Sequence, residues 1–245
     1  MALSISAKVA EQLKYYVYLY IDPETDHVFY VGKGKGSRVL DHLHDVNESE
    51  KVRKIHALRS RGVEPKLEVL VHGLDNELDA LRIEAAVIDL LGKDTLTNQV
   101  RGWGSGIVGR SSLQELISLY DASPAQVDDA VLLIRINQLY RYGITAQELY
   151  EATRGVWVIG ERREGAQYAF AVFRGVVREV YGVEAWFPAG SIPYLTRPLE
   201  EVTHPGRWEF TGRVAEQEVR NRYINKNITA YFSGSSQNPI RYVNC

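Results

Sequence analysis

The strongest constraint on the fold is a pair of short alternating runs near the N-terminus, separated by a turn. In residues 16–21, tyrosine and aliphatic side chains alternate strictly, as in a β-strand whose two faces differ. We expect the aliphatic face to pack inward and the phenolic face to be left for another role. Residues 22–26 have turn composition and the alternation resumes over His27 to Val31, so the sequence predicts an antiparallel hairpin in which Tyr18 can meet Tyr30.

A glycine-rich segment follows the second run. Three glycines alternate there with Lys33 and Lys35, and glycine allows backbone conformations and close approaches that other side chains would block. Such a segment suits contact with a phosphate group. The sequence then predicts a helix over residues 38–45. Arg38 and His42 are four residues apart, so they would project from one side of that helix.

The composition is that of an ordinary globular protein. The chain has 245 residues, of which 45% are hydrophobic and 24% are charged, so it can form a sizeable core and more than one domain. No run approaches the roughly 18 apolar residues of a membrane span, so we expect no membrane association. Cys245 is the only cysteine, which excludes an internal disulfide and favours a cytoplasmic location.

The periodicity of the chain predicts an α+β protein in three parts. Residues 1–110 are predicted to form a small three-stranded antiparallel sheet flanked by helices. Residues 111–154 are predicted to form a helical connector, because apolar residues recur there at helical spacing. Residues 155–245 are predicted to form a β-rich domain. Its expected strands lie within residues 156–159, 167–180, 208–214 and 240–243.

A carboxylate in the predicted helix over residues 75–91 has an unusual position. Glu84 falls on the apolar face that residues such as Leu81 and Ala85 define at helical spacing. An unpaired buried charge is too costly, so this carboxylate needs either an arginine partner, such as Arg38, or a divalent cation. Taken by itself, the placement favours the ion pair. An oxygen-only site with one carboxylate would instead suit Mg²⁺, which keeps several of its waters.

Together, these residues resemble the GIY-YIG nuclease domain, and the glycine-lysine segment is similar to its LEM-3-like branch. The resemblance covers about residues 14–105. Its elements, in the order and approximate spacing of the family, are Tyr16-Val17-Tyr18, Tyr30-Val31-Gly32, Arg38, His42, Glu84 and Asn98. Three departures stand out: Tyr16 replaces the glycine of the first signature, valine replaces isoleucine in both signatures, and the glycine loop is short.

The resemblance implies a metal-dependent endonuclease that hydrolyses phosphodiester bonds of DNA. In that reaction Tyr18, with Tyr30 nearby, would take or relay the proton of the attacking water. Arg38 would hold the scissile phosphate. Glu84 would anchor Mg²⁺ or Mn²⁺, which would stabilise the leaving oxygen.

Three further residues complete the site that the resemblance implies. A tyrosine with an ordinary pKa of about 10 is a poor base at neutral pH. Either Lys33 or His42 would therefore lower the pKa of Tyr18 or accept its proton, and the sequence favours neither. Asn98 is expected to orient a water molecule or the backbone near the metal.

Binding to nucleic acid would depend on local patches, because the formal net charge of the chain is −2. Residues 155–245 contain a slight excess of basic residues, nearly all of them arginines. This part of the chain resembles PUA-type or ASCH-type β-barrels, which implies a module that selects the substrate, such as branched or base-modified DNA. The expected nucleic-acid contacts are Lys35, Arg207, Trp208 and Arg222.

Two other interpretations stay open at this point. In the first, the protein binds nucleic acid or a modified nucleotide without cleaving it, although the joint presence of Tyr18, Arg38 and Glu84 disfavours this. In the second, it is a self-associating interaction protein to which the acidic connector contributes. The loss of nucleic-acid binding by the purified protein would favour the second interpretation.

Overall fold

A computed structural model describes residues 4–41, 43, 45, 48–92, 95–98, 104, 109–232 and 238–245. The chain divides into two compact units, residues 1–110 and 111–245. Each unit has its own sheet and its own apolar core, and the predicted α+β class is confirmed. No helix within these described ranges is long and apolar enough to cross a bilayer.

The first unit is a small antiparallel sheet with flanking helices. Strand β1 lies at the centre of the sheet, between β2 and β3. The predicted hairpin of β1 and β2 is confirmed, with Tyr18 opposite Gly32 and Tyr20 opposite Tyr30. The elements are α1 (Ala7–Leu13), β1 (Tyr15–Asp22), β2 (His27–Lys35), α2 (Arg38–Asp41), α3 (Glu50–Arg59), β3 (Lys66–Leu74) and α4 (Glu77–Leu91).

The tyrosine face of β1 is buried in a core of its own. Tyr16, Tyr18 and Tyr20 have no exposed surface and pack with side chains of α3. The aliphatic face of β1 packs against α4. The alternation in the sequence therefore separates two cores of different chemistry, one phenolic and one aliphatic, on the two sides of one strand.

Two helix boundaries bear on the candidate site. Helix α2 comprises Arg38–Asp41 and is shorter than the predicted helix over residues 38–45. His42, which was expected on the same side as Arg38, lies outside the described residues. Helix α4 begins after its N-cap Asn76 and ends at Gly92, whose φ of 86° favours glycine.

The second unit is built on a six-stranded sheet with strand order β5-β8-β7-β6-β4-β9. Strands β4 and β6 are parallel, and the other neighbours are antiparallel. The turn between β6 and β7 contains Gly175. The elements are α5 (Leu113–Tyr120), β4 (Val131–Arg135), α6 (Ala146–Arg154), β5 (Gly155–Trp157), β6 (Tyr168–Phe173), β7 (Val176–Pro188), α7 (Leu199–Val202), β8 (Trp208–Val214), α8 (Gln217–Tyr223) and β9 (Ile240–Val243).

The helical interpretation of the apolar run that begins at Val131 is wrong. Residues 131–135 form β4, an inner strand of the second sheet. Val131 and Leu133 pack into one core cluster, while Leu132 and Ile134 pack into another, so both faces of the strand are buried. Periodicity alone cannot distinguish a short apolar run of this kind from a buried helix. Residues 111–154 thus lie in the same compact unit as the strands that follow them.

The end of β1 provides a test of the first unit's stability. Asp22 is 3% exposed, and its carboxylate accepts hydrogen bonds from the Glu24 N–H at 3.0 Å and from Lys54 Nζ at 2.7 Å. The hydrogen bond from Lys54 lowers the pKa of Asp22 below its ordinary value. We expect Asp22→Asn to lower the free energy of unfolding at pH 7 by about 1–2 kcal/mol, measured by urea unfolding.

The pH dependence of that difference follows from the sign of the shift. A lowered pKa in the folded state stabilises the fold above the ordinary aspartate pKa of about 3.9, and this stabilisation is lost as the pH falls through the lowered value. The difference in the free energy of unfolding between wild type and Asp22→Asn should therefore become smaller in acid. Asp75→Asn is the control, because Asp75 is exposed and its ion pair with Lys14 lies at the surface. A difference in the free energy of unfolding that stays constant in acid would show that the Asp22 carboxylate does not stabilise the fold in this way.

Candidate active site

The outer edge of β2 is lined by side chains that take the place of a neighbouring strand. The Thr97 hydroxyl donates to the Phe29 carbonyl at 2.9 Å, and the Thr97 N–H donates to the same carbonyl at 2.7 Å. The Asn98 amide bonds both backbone groups of Val31, accepting from its N–H at 3.1 Å and donating to its carbonyl at 2.7 Å. Two residues further along, the Lys33 N–H donates to the Glu84 carboxylate. Asn98 and Glu84 thus bond to alternate residues on one edge of one strand.

Tyr18 and Tyr30 meet on the phenolic face of the sheet. Their ring centroids are 6.2 Å apart, and the hydroxyl of Tyr18 tends to lower the pKa of Tyr30. Gly32 lies opposite Tyr18 on β2, where a Cβ atom would be 2.6 Å from the Tyr18 hydroxyl oxygen. The glycine of Tyr30-Val31-Gly32 therefore provides the space that the Tyr18 phenol occupies.

The two phenols are weaker acids here than in water. Burial raises the pKa of Tyr18 far above its ordinary value, and the positive charge of Arg38 opposes this only in part. Burial also raises the pKa of Tyr30, and the negative charge of Glu84 raises it further. Both side chains are therefore neutral phenols at neutral pH, able to donate one hydrogen bond and to accept others.

Arg38 is held over the sheet by a set of contacts around α2. The Tyr16 hydroxyl accepts from the Val39 N–H at 3.0 Å and donates to the Gly36 carbonyl at 3.0 Å. The Tyr20 hydroxyl donates to the Val39 carbonyl at 2.5 Å. The backbone next to Arg38 is thus bonded on both sides by core tyrosines, while the Arg38 side chain itself is exposed. Tyr16, which departs from the signature, has a structural reason to be tyrosine.

Glu84 lies near Lys33 and within electrostatic reach of Tyr30. Burial raises the pKa of this carboxyl, and the charge of Lys33 and the hydrogen bond from the Lys33 N–H oppose the increase. The Lys33 ammonium itself pairs with Glu77, at the start of α4, at 2.5 Å. Among the described residues, the ion pairs of Lys33 and Arg38 thus do not include a direct one with Glu84. Glu84 is a half-buried carboxylate with only partial charge compensation.

The structure brings together most of the residues expected in the site. Tyr18, Tyr30, Lys33, Glu84 and Asn98 all lie on or beside β1 and β2, and the charge of Arg38 acts on both phenols. Lys35 lies further out, with its ammonium 5.1 Å from the centroid of the Tyr15 ring. A neutral phenol pair, a guanidinium and a carboxylate around one strand suit a reaction at a phosphate ester.

Comparison with known proteins assigns this part of the chain. Residues 15–118 match the family model of the LEM-3-like GIY-YIG domain, over less than half of the 245 residues. This segment is a LEM-3-like GIY-YIG domain. GIY-YIG domains form a nuclease superfamily, so the family that the sequence resembles is confirmed for this segment. The comparisons with curated proteins and with solved structures gave no match. The similarity of the second unit to PUA-type or ASCH-type barrels stays a prediction.

The GIY-YIG domain also contains a buried cation that the sequence reasoning missed. Lys51 is 7% exposed, and its ammonium lies 4.8 Å from the centroid of the Tyr30 ring. Burial lowers the pKa of Lys51, and its ion pair with Asp45 at 3.3 Å opposes this. The signal was present in the sequence, because Lys51, Ile55 and Leu58 share one face of α3 at helical spacing. The phenol pair therefore has a lysine near it in addition to Arg38.

The oxygen donors of the GIY-YIG domain fit Mg²⁺ or Mn²⁺ through a single protein carboxylate. Glu84 offers a hard anionic oxygen beside the amide of Asn98, whereas Lys33 and Lys51 offer no lone pair to a metal. Within the described part of the chain, no group of three His, Cys, Asp or Glu side chains is arranged to hold a metal ion. A divalent cation at Glu84 would therefore keep most of its coordination for water and phosphate oxygens.

The nucleic-acid contacts expected in the second unit have different surroundings. Trp208 is half-buried, and the Arg163 guanidinium stacks on its ring, 3.5 Å from the ring centroid. Arg222 pairs with Asp129 at 3.1 Å. Arg207 is exposed and borders a cavity. Arg207 is thus an expected contact that lies beside a cavity able to hold a ligand.

Gly32→Ala tests the packing of the phenol pair directly. The added methyl group would overlap both Tyr18 and Tyr30, with the nearest Tyr18 atoms at 2.6 Å, and the buried ring has no open space to enter. We expect a loss of about 1–3 kcal/mol in the free energy of unfolding, measured by urea unfolding. Gly160→Ala is the control, because a Cβ there meets nothing within 4 Å and its φ is −86°. Equal stability of the two variants would show that the packing of Tyr18 and Tyr30 does not require a glycine at position 32.

Proposed function

We propose that the protein is a metal-dependent endonuclease that hydrolyses phosphodiester bonds of DNA, and that its second unit selects or positions the substrate. One observation carries the proposal: Tyr18, Tyr30, Arg38 and Glu84 are electrostatically coupled around β2, within a domain of a nuclease superfamily. The cytoplasm is the proposed location, since the single cysteine, Cys245, excludes an internal disulfide.

Arg38 binds the scissile phosphate in this proposal. A guanidinium forms paired hydrogen bonds to phosphate oxygens and stays charged at any working pH. Its exposed side chain starts from a backbone that Tyr16 and Tyr20 hold through Val39. The backbone from which Arg38 reaches a substrate is therefore fixed. This limits the conformational entropy that is lost when the side chain binds a phosphate.

Tyr18 acts in this proposal as a neutral relay and not as a phenolate base. Its raised pKa leaves the proton in place at neutral pH. A phenol can accept the proton of the attacking water while it donates its own proton to a neighbour, and Tyr30 is that neighbour. Tyr30 in turn gives its own hydroxyl proton to solvent water, so both phenols are neutral after the transfer. Lys51 and Arg38 place two positive charges near Tyr30, and these favour the departure of that proton.

Glu84 is the residue that holds the metal in this proposal, with Asn98 beside it on the β2 edge. The carboxylate is half-buried and only partly compensated by Lys33, so a divalent cation would offset its desolvation. A bound Mg²⁺ or Mn²⁺ would supply Lewis-acid stabilisation of negative charge on the leaving oxygen. Asn98 fixes the backbone of Val31, which sets the position of the neighbouring Tyr30 and Gly32.

The test incubates plasmid and branched DNA, unmodified and base-modified, with the full chain in Mg²⁺ and in EDTA. Wild type should cleave in Mg²⁺ and not in EDTA, and Arg38→Ala should lose cleavage. Arg53→Ala is the matched control, because Arg53 is an exposed arginine on α3. Cleavage that persists in Arg38→Ala would contradict the site assignment. DNA binding by wild type without cleavage would instead favour the non-catalytic reader.

A further inference from the structure

The second unit contains a cavity rich in arginine. Its volume is about 460 Å³, within the roughly 300–1,000 Å³ of small-molecule sites. It lies beside β5, between the end of β4 and the segment that carries α7. The lining side chains that bear on its chemistry are Arg135, Trp157, Arg197, Glu201, His204 and Arg207.

Two of these arginines are fixed to the backbone of β5. Arg207 donates to the Val156 carbonyl at 3.2 Å, and Arg197 donates to the Gly155 carbonyl at 3.4 Å. The guanidinium of Arg135 stacks on the Phe232 ring at 3.9 Å from its centroid. Each head group therefore has a defined place on the cavity wall, which favours ligand binding because less side-chain freedom is lost.

The loop that presents Arg197 is anchored by buried charges. Glu151 is fully buried and accepts hydrogen bonds from the Leu195 N–H at 2.7 Å and the Thr196 N–H at 2.9 Å. Arg154, which is 4% exposed, donates to the Pro193 carbonyl at 2.7 Å. Burying charged groups is costly unless they are well bonded, so these contacts specify one conformation of the loop. The position of Arg197 is thus built into the fold.

The charge of the cavity is strongly positive. Of the described lining residues, Arg135, Arg197 and Arg207 carry positive charge and only Glu201 carries negative charge, 3.9 Å from Arg197. Burial lowers the pKa of Arg135, and the charge of Arg241 lowers it further. Several arginines that line one concave site attract an anion.

One wall of the cavity is aromatic. Trp157 is half-buried, and its indole N–H donates to the Thr153 carbonyl at 2.7 Å, which fixes the ring. Rings of this kind stack on nucleobases regardless of base identity. Guanidinium groups match phosphate oxygens through paired hydrogen bonds. We propose that this cavity binds the phosphate of a nucleotide, presented either as a free mononucleotide or as the phosphorylated end of a DNA strand.

This inference deepens the proposed function, since a strand-end site would give the second unit its part in substrate binding. The experiment measures equilibrium binding of the full chain in EDTA, by fluorescence anisotropy. The probes are a single-stranded DNA with a 5′-phosphate and a 3′-fluorescein, the same DNA with a 5′-hydroxyl, and dAMP as an unlabelled competitor. Tryptophan fluorescence is recorded in parallel, with Trp157→Phe to assign the signal.

We expect Arg207→Ala to weaken binding of the phosphorylated probe by about tenfold or more, because a charge-assisted hydrogen bond to phosphate is lost. Arg197→Gln is the second variant. Arg213→Ala is the matched control, since Arg213 is an exposed arginine that pairs with Glu184 at 2.6 Å. Preference for the 5′-phosphate supports the strand end, and binding of dAMP alone supports the free nucleotide. An unchanged dissociation constant in both Arg207→Ala and Arg197→Gln overturns the inference.

The experiments distinguish failure of the nuclease proposal from failure of the cavity proposal. Binding is read without metal and without cleavage, so the nuclease site does not contribute to the signal. If wild type cleaves no DNA but binds the phosphorylated probe through Arg207, the cavity assignment stands and the nuclease proposal fails. If wild type cleaves DNA but binds neither phosphate probe, the cavity assignment fails alone.

Discussion

Glu84→Gln is expected to lower the rate of Mg²⁺-dependent DNA cleavage by about 10²- to 10³-fold. Glutamine keeps an oxygen that can accept from the Lys33 N–H, so the edge of β2 retains its partner. It removes the negative charge that would hold a divalent cation. The fold should tolerate the change, since burial already disfavours the charged form of Glu84. Cleavage rates and Mn²⁺ binding, followed by electron paramagnetic resonance, measure the two consequences.

Glu77→Gln is the matched control for Glu84→Gln. Both glutamates lie on α4 and both bond to Lys33, Glu77 to its side chain and Glu84 to its backbone. Glu77 is exposed, so its loss should leave the cleavage rate within about twofold of wild type. Similar rates for the two variants, or Mn²⁺ binding that survives in Glu84→Gln, would show that Glu84 is not the metal ligand.

Tyr18→Phe is expected to lower the turnover rate by about 10²- to 10⁴-fold, the usual contribution of a positioned proton-transfer group. The substitution removes one buried hydroxyl and leaves the ring. The centroid of this ring lies 5.9 Å from that of Tyr16 and 5.6 Å from that of Tyr20. The Michaelis constant should change little, because in the proposed mechanism Arg38 supplies the contact with phosphate. Steady-state kinetics on a labelled DNA substrate separate these two parameters.

Tyr20→Phe is the control on the same face of β1. The Tyr20 hydroxyl bonds the Val39 carbonyl, so its loss should reduce stability by about 1 kcal/mol and leave proton transfer intact. A Tyr18→Phe enzyme that turns over like wild type would remove Tyr18 from the mechanism. A rate that rises steeply toward pH 10 in wild type would contradict the neutral relay, since it would indicate a phenolate.

The sequence predicted the elements whose signals are local. The hairpin, the end of α4 at Gly92 and the strands over residues 208–214 and 240–243 depend on alternation, turn residues and a glycine stop. β4 was missed because four consecutive buried apolar residues have no distinctive period. Its identity as a strand depends on pairing with β6 and β9, and these partners lie far away in the sequence.

The residues of the candidate site also differ in whether local sequence signals or tertiary contacts reveal them. Tyr18, Tyr30, Arg38 and Glu84 could be named because their types and spacing match a family pattern. The contact of Lys51 with Tyr30 could not be named, since it depends on how α3 packs on the sheet. The burial of Tyr18, which makes it a neutral phenol, is likewise a property of the tertiary structure.

The side-chain partners along β2 have a consequence for how this protein behaves in a crowded solution. An edge strand with open backbone groups invites another chain to add a strand, which leads to aggregation. Thr97, Asn98 and Glu84 bond four of those groups, namely the Phe29 carbonyl, both backbone groups of Val31 and the Lys33 N–H. The residues that form one side of the candidate site thereby also cover part of this edge of the sheet. In the proposed mechanism Asn98 and Glu84 thus have two roles, because the same contacts also protect this edge from strand addition.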